Sequence, residues 1–172
     1  MHLARFPRIR LAHLPTPLEP LPRLSEALGV EIWIKRDDCT VVATGGNKVR
    51  KLEWLIGEAR VQGATHIVTQ GAVQSNHCRL TLAAAAHEGL KCRLVLEQRV
   101  AGSYRKEASG NNFLFELLGA ETITVVEGGS DLAGAMNAEA EKLKALGRKG
   151  DLTSKVRESL VQFTSDPRRN SS

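Results

Sequence analysis

The sequence predicts an α/β fold, a parallel sheet flanked by helices. Three observations predict it. Short β-branched runs alternate with stretches of helical periodicity between residues 47 and 147. Each strand-plus-helix unit takes about 25–30 residues, the length of a crossover that returns the chain to a parallel strand. Hydrophobic residues make up 42% of the 172 residues, enough to cover such a sheet with a packed core.

The elements follow in order. Pro7, Pro15, Pro17, Pro20 and Pro22 describe an extended arm that leads into a short helix, Pro22 to Leu28, ended by Gly29. Glu31 to Arg36 is β-branched and reads as a strand, and Gly45-Gly46 marks a tight loop. Val49, Leu52, Leu55, Ile56 and Ala59 recur at helical intervals within Asn47 to Gln62, and Gly63 ends that helix. His66 to Gln70 is a strand stopping at Gly71. Ser75 to His87 is a helix with Ser75 or Asn76 as its cap and Gly89 as its stop. Cys92 to Leu96 is a strand, Asn111 to Leu118 a helix closed by Gly119, and Thr122 to Val126 a strand closed by Gly128-Gly129. Ser130 is expected to cap the last helix, Asp131 to Leu146, which Gly147 closes. A further strand should follow Gly147 in this alternation, and none is evident in the residues. This divides the chain into an arm and strand (1–47), a small α/β domain (48–149) and a divergent tail (150–172).

Composition excludes several classes. The net charge of +5 is spread along the chain, in groupings no longer than Lys48/Arg50/Lys51, and aromatics are only 4%. Nucleic-acid binding needs a basic stripe with stacking rings, so it is not expected. Cys39, Cys78 and Cys92 are odd in number and form no CxxC pair, which argues against a disulfide framework or a metal site and for reduced thiols in the cytoplasm. The first residues lack an apolar signal core, and no run of about 18 apolar residues exists to span a membrane.

Two segments carry chemistry. In Thr44-Gly45-Gly46-Asn47-Lys48 two glycines free the backbone, and a lysine then sits in the first turn of a helix. The partial positive charge of a helix start disfavours an ammonium, and a neutral amine is what a Schiff-base lysine needs. Alone, the pattern also fits an exposed lysine on a surface helix. It does not fit a nucleotide-phosphate loop, because Val49 stands where Ser or Thr is required. In Gln70-Gly71-Ala72-Val73-Gln74-Ser75-Asn76-His77 a strand runs through a loop into a helix start, an arrangement suited to a carboxylate. Ser75 as a plain helix cap is compatible with that role.

Taken together, Gly45-Gly46-Asn47-Lys48, Arg50-Lys51-Leu52-Glu53 and Gln74-Ser75-Asn76-His77, with Ser75 27 residues after Lys48, resemble the D-cysteine desulfhydrase and 1-aminocyclopropane-1-carboxylate deaminase family. That family belongs to the tryptophan-synthase-β-like (fold type II) pyridoxal-phosphate enzymes. Leu3 to Arg8, Pro15 to Glu19 and Ile34 to Asp38 are similar to the same family, and His77 favours its L-cysteate sulfo-lyase and D-cysteine desulfhydrase branches. The resemblance covers roughly residues 1 to 149.

It implies a lyase that uses pyridoxal 5'-phosphate on a small amino acid. Lys48 holds the cofactor and later shuttles the α-proton. Asn76 binds the cofactor's phenolic oxygen, and Asn47 lies near its phosphate. Ser75, Asn76 and His77 bind the substrate, with Ser75 on its carboxylate and assisting proton transfer. The implied reaction takes D-cysteine to pyruvate, sulfide and ammonia, or L-cysteate to pyruvate, sulfite and ammonia. Aminocyclopropane-carboxylate deamination and a non-catalytic remnant are the alternatives. Family members are usually homodimers.

Other residues are expected to be structural: His66, His87, a buried Cys78, a salt-bridged turn at Lys35-Arg36-Asp37-Asp38, and Tyr104. Gly128-Gly129-Ser130 falls one unit too early to be the family's phosphate loop. Members are about twice this length, so the pattern break after Arg148-Lys149 reads as a truncation or frameshift. Leu14, Leu18, Leu21 and Trp33 of the arm are then expected to stay partly exposed.

Overall fold

The computed structural model describes residues 2–107 and 109–146, and the backbone of 161–165. The arm forms an antiparallel pair, β1 (Leu18–Pro20) and β2 (Trp33–Lys35), joined through α1 (Pro22–Leu28). The chain then alternates: α2 (Lys48–Val61), β3 (Ala64–Ala72), α3 (Asn76–His87), β4 (Lys91–Gln98), α4 (Asn111–Leu117), β5 (Thr122–Glu127) and α5 (Leu132–Ala145). β3, β4 and β5 are parallel and adjacent, with Ile67 beside Cys92 and Arg93 beside Thr122.

Successive strand residues point to opposite faces, and the two cores divide accordingly. Ile67 and Leu94 pack with Leu52 and Ile56 of α2, Leu80 of α3 and Phe115 of α4. Val68 and Val95, one step on, pack with Met136 and Leu143 of α5. Helices therefore cover both faces, which is why these strands are apolar on both sides. Leu52 and Ile56 are wholly buried, and cutting either to alanine costs about 2–5 kcal/mol.

Two sequence expectations are corrected. Ser130 does not cap α5. That helix starts at Leu132, and Asp131 accepts from the Gly134 N–H at 2.9 Å. A strand does follow residue 147: β6 (Val161–Ser165) pairs antiparallel with β3, giving the order β5-β4-β3-β6. The outer edge of β3 carries backbone groups that need partners, and a five-residue segment supplies them. The rest of the tail lies outside the described residues.

The arm is fastened by one buried carboxylate. Glu53 of α2 accepts from the backbone N–H groups of Leu11 and Ala12 (both 2.9 Å) and from Arg8 (2.8 and 2.5 Å). Burial pushes this carboxyl up, but those four donors outweigh it and hold it below its ordinary range. Beyond this anchor Leu14, Leu18 and Trp33 are exposed and Leu21 is half-buried, as expected for the arm.

A second charged cluster ties β4, β5 and α5. Arg93 donates to Glu121 (2.7 Å) and lies 3.4 Å from Glu139, while Lys91 meets Glu121 at 3.2 Å. Burial raises the Glu121 carboxyl, yet the bonds from Arg93 and Lys91 and the nearby His66 charge hold it at about 2. A carboxyl depressed from 4.5 to about 2 stabilises the fold fully above pH 4.5 and loses that contribution as the pH falls towards 2. Urea titrations of the wild-type chain and Glu121→Gln are expected to differ clearly at about pH 7 and to converge towards about pH 2.5. A gap that does not shrink with acid contradicts this assignment.

Candidate functional site

The loop before α2 is built from two short 3₁₀ turns, Asp37–Thr40 and Val42–Thr44. Val41, Ala43 and Thr44 all take positive φ, a concentration of backbone strain that neighbouring bonds must sustain. Thr40 is fully buried, and its Oγ1 accepts from the Gly46 N–H at 2.8 Å. Asp37 accepts from Arg50 (2.6 and 2.8 Å) and from Thr16 (2.9 Å), which locks the loop to the first turn of α2. The Arg50 bonds outweigh burial and hold the Asp37 carboxyl at about 2. Gly45 lies at φ 74°, and a Cβ there would collide with the Asp38 carbonyl.

This loop delivers Lys48 as the first residue of α2. The side chain is half-buried, and Nζ donates to Oδ1 of the exposed Asn47 at 2.9 Å. One turn on, burial and the charge of Lys48 push the Lys51 amine down.

The second segment leaves the C-terminal end of β3 and enters α3. Ser75 is the cap: its Oγ accepts from the Cys78 N–H at 3.2 Å. Gly71 permits this tuck, because a Cβ there would run into Ser75 Oγ and come within 2.8 Å of Cys78 Sγ. The first intrahelical bond runs from the Arg79 N–H to Ser75 O at 3.1 Å. The Asn76 and His77 N–H groups precede it, at the positive end of the helix.

Arg79 joins the two segments. Its Nη2 donates to the Gly45 carbonyl (3.1 Å), and its Nη1 donates to Asn76 Oδ1 and Asn111 Oδ1 (both 2.7 Å). Asn111, opening α4, donates through Nδ2 to Gln74 O (2.7 Å) and Asn76 Oδ1 (2.9 Å), and its N–H donates to Gln74 Oε1 (2.8 Å). Neither Arg79 nor Asn111 was anticipated from the sequence. Apart from the Arg79–Asn76 bond, their partners lie 32 to 37 residues away. The one local cue is that Asn76 and Arg79, three apart, share a helix face.

Lys48, Asn47, Ser75 and Asn76 therefore belong to two loops fastened to each other. His77 does not share their surface: its ring is buried, with Nε2 3.2 Å from Thr69 Oγ1 and Nδ1 3.4 Å from Thr81 Oγ1. The other residues are structural. Burial pushes the Cys78 thiol up to about 12. His66 is buried beside Glu121, and His87 is exposed beside Glu88. Arg36 pairs with Asp38 and Glu19, forming the expected salt-bridged turn. The Gly129 N–H is already committed to Glu97 at 3.0 Å. No acidic, histidine or cysteine cluster fit for a metal occurs among the described residues.

A primary amine and a helix start, carried on two segments that Arg79 ties together, suit a ligand with an aldehyde and an anionic group. The chain belongs to the pyridoxal-phosphate dependent enzymes, whose family model matches residues 9–155. D-cysteine desulfhydrases of Salmonella paratyphi C (strain RKS4594) and Salmonella newport (strain SL254) are each 45% identical over 147 residues. The alignment takes in 85% of this chain and 44% of each relative, so the chain spans less than half the length of the relatives it matches. A crystal structure described as an ACC deaminase homologue superposes with a TM-score of 0.74 at 40% identity, covering 86% of this chain and 44% of that one.

The contact at Gly71 gives a direct check on how the helix start is seated. Gly71→Ala is expected to push Ser75 and the first turn of α3 outward and to destabilise the chain by about 1–3 kcal/mol, read by urea denaturation. Unchanged stability means that the seat has slack the structure does not show.

Proposed function

We propose that this chain carries the lysine-bearing half of a pyridoxal-phosphate dependent lyase that removes the β-substituent of a small amino acid. D-cysteine, giving pyruvate, sulfide and ammonia, is the first substrate; L-cysteate, giving sulfite instead, is the second. The observation that carries the reading is the bond from Arg79 to Gly45, which fastens the Lys48 loop to the helix start bearing Ser75 and Asn76. The desulfhydrases at 45% identity support the D-cysteine substrate. The solved ACC deaminase homologue supports deamination of 1-aminocyclopropane-1-carboxylate as the alternative.

The residues divide the work. Lys48 holds the cofactor through its amine and, when released, is the base on hand for the proton at Cα. Asn76 offers its Nδ2 to the phenolic oxygen, and Asn47, bonded to the Lys48 amine, sits beside the cofactor. Ser75 and the first N–H groups of α3 hold the substrate carboxylate. His77, turned to Thr69 and Thr81, anchors α3 and is not carried forward as a direct substrate contact. Bound pyridoxal phosphate supplies the electron-withdrawing ring that accepts the charge left when the proton departs. The three free cysteines suit a reducing cytoplasm, and a homodimer is the assembly read from the family likeness.

Purified full chain mixed with pyridoxal phosphate is expected to show a band near ~410–420 nm, the Schiff-base absorption, and Lys48→Ala is expected to lack it. Sulfide from D-cysteine, sulfite from L-cysteate and 2-oxobutyrate from the cyclopropane substrate then separate the activities. A band without any product identifies a cofactor-binding remnant. No band at all defeats the proposal.

A further inference from the structure

Asn76 Oδ1 is held by two donors at once, Arg79 Nη1 at 2.7 Å and Asn111 Nδ2 at 2.9 Å. Asn111 has no freedom to change roles. Its Oδ1 accepts from Arg79, and its Nδ2 is divided between Gln74 O and Asn76 Oδ1. Arg79 can only donate. Turning the Asn76 carboxamide over would set its NH₂ against two N–H donors within 3 Å and leave one N–H of each without an acceptor. Arg79 and Asn111 are buried, at 8% and 7% exposure, so water offers their donors little relief. Asn76 itself is exposed, and the end of its side chain opposite this network is Nδ2.

We propose that Arg79, with Asn111, is a positioning residue that fixes the Asn76 carboxamide as a one-way donor. This deepens the cofactor reading above and rests on it. Asn76 then accepts only ligands that bring an acceptor oxygen, the phenolic oxygen of pyridoxal phosphate among them, and rejects a donor at that point. The guanidinium sets the polarity of the contact without touching the ligand. Through Gly45 it also sets the distance between that contact and Lys48.

The test compares two ligands on the full 172-residue chain: pyridoxal 5'-phosphate and its 3-deoxy analogue, in which hydrogen replaces the phenolic hydroxyl. Dissociation constants are read by equilibrium dialysis for wild type, Arg79→Met, Asn111→Ala and Arg79→Lys, with circular dichroism to confirm folding. Arg79→Met is expected to weaken pyridoxal phosphate about tenfold, the scale of one charge-assisted hydrogen bond, and the 3-deoxy analogue by less than about twofold. Asn111→Ala is expected to show the same selectivity at about threefold. Arg79→Lys, which keeps a cationic donor, should recover most of the loss. Any part of the effect that comes from loosening the Gly45 loop weakens both ligands equally and cancels in the comparison. Should Arg79→Met not fold, Asn111→Ala decides. Equal losses for the two ligands, or no loss, overturn the proposal and leave Arg79 a structural brace. A wild-type chain that binds neither compound overturns the cofactor reading, and this inference with it.

Discussion

One guanidinium holds the site together. Arg79 reaches from the first turns of α3 to the Gly45 carbonyl on one side and to Asn76 and Asn111 on the other. Burial pulls its proton affinity down, so its hydrogen bonds must offset the loss of hydration. Three segments distant in sequence are fixed by it: the strained loop before α2, the start of α3 and the start of α4. Removing one partner from such a network leaves several buried groups unpaired at once, which makes its members interdependent.

The sheet explains why these segments can meet. β3 ends where α3 begins, and that C-terminal edge of a parallel sheet is where an open α/β fold presents loops and helix starts together. Packing sets the height of α3 against the sheet, with Leu80 and Leu82 buried and Gly71 admitting Ser75. α2 is anchored independently, by Leu52 and Ile56 in the core and by Glu53 gripping the arm through Arg8, Leu11 and Ala12. Lys48 therefore stands on a helix fixed at two points. For the proposed role of Lys48 that rigidity matters, because misplacement by about an ångström is enough to lose much of a catalytic rate.

The helices and parallel strands were legible because periodicity and glycine stops report local geometry directly. Ser75 was readable as a cap for the same reason: a hydroxyl one residue ahead of an apolar run satisfies an N–H group of the first turn wherever it occurs. Lys48 and Ser75 were singled out by their spacing within a family likeness. The tertiary roles of Arg79, Asn111 and Glu53 were not legible, since a polar or charged side chain in a helix looks like a solvated face until the tertiary contacts are known. His77 adjoins Asn76 in sequence, whereas adjacent helix residues point about 100° apart and its ring turns to Thr69 and Thr81. β6 was hidden because its pairing with β3 spans most of the domain and leaves no local signature.

Lys48 is the amine proposed to meet the cofactor in this framework. Lys51 is the sharpest competitor, since burial and the neighbouring Lys48 charge already push its amine down. Reducing the chain with borohydride after incubation with pyridoxal phosphate, then mapping the peptides, separates the two. A pyridoxyl label on Lys48 is the expected result. A label on Lys51 or another lysine, or none at all, contradicts the assignment of Lys48.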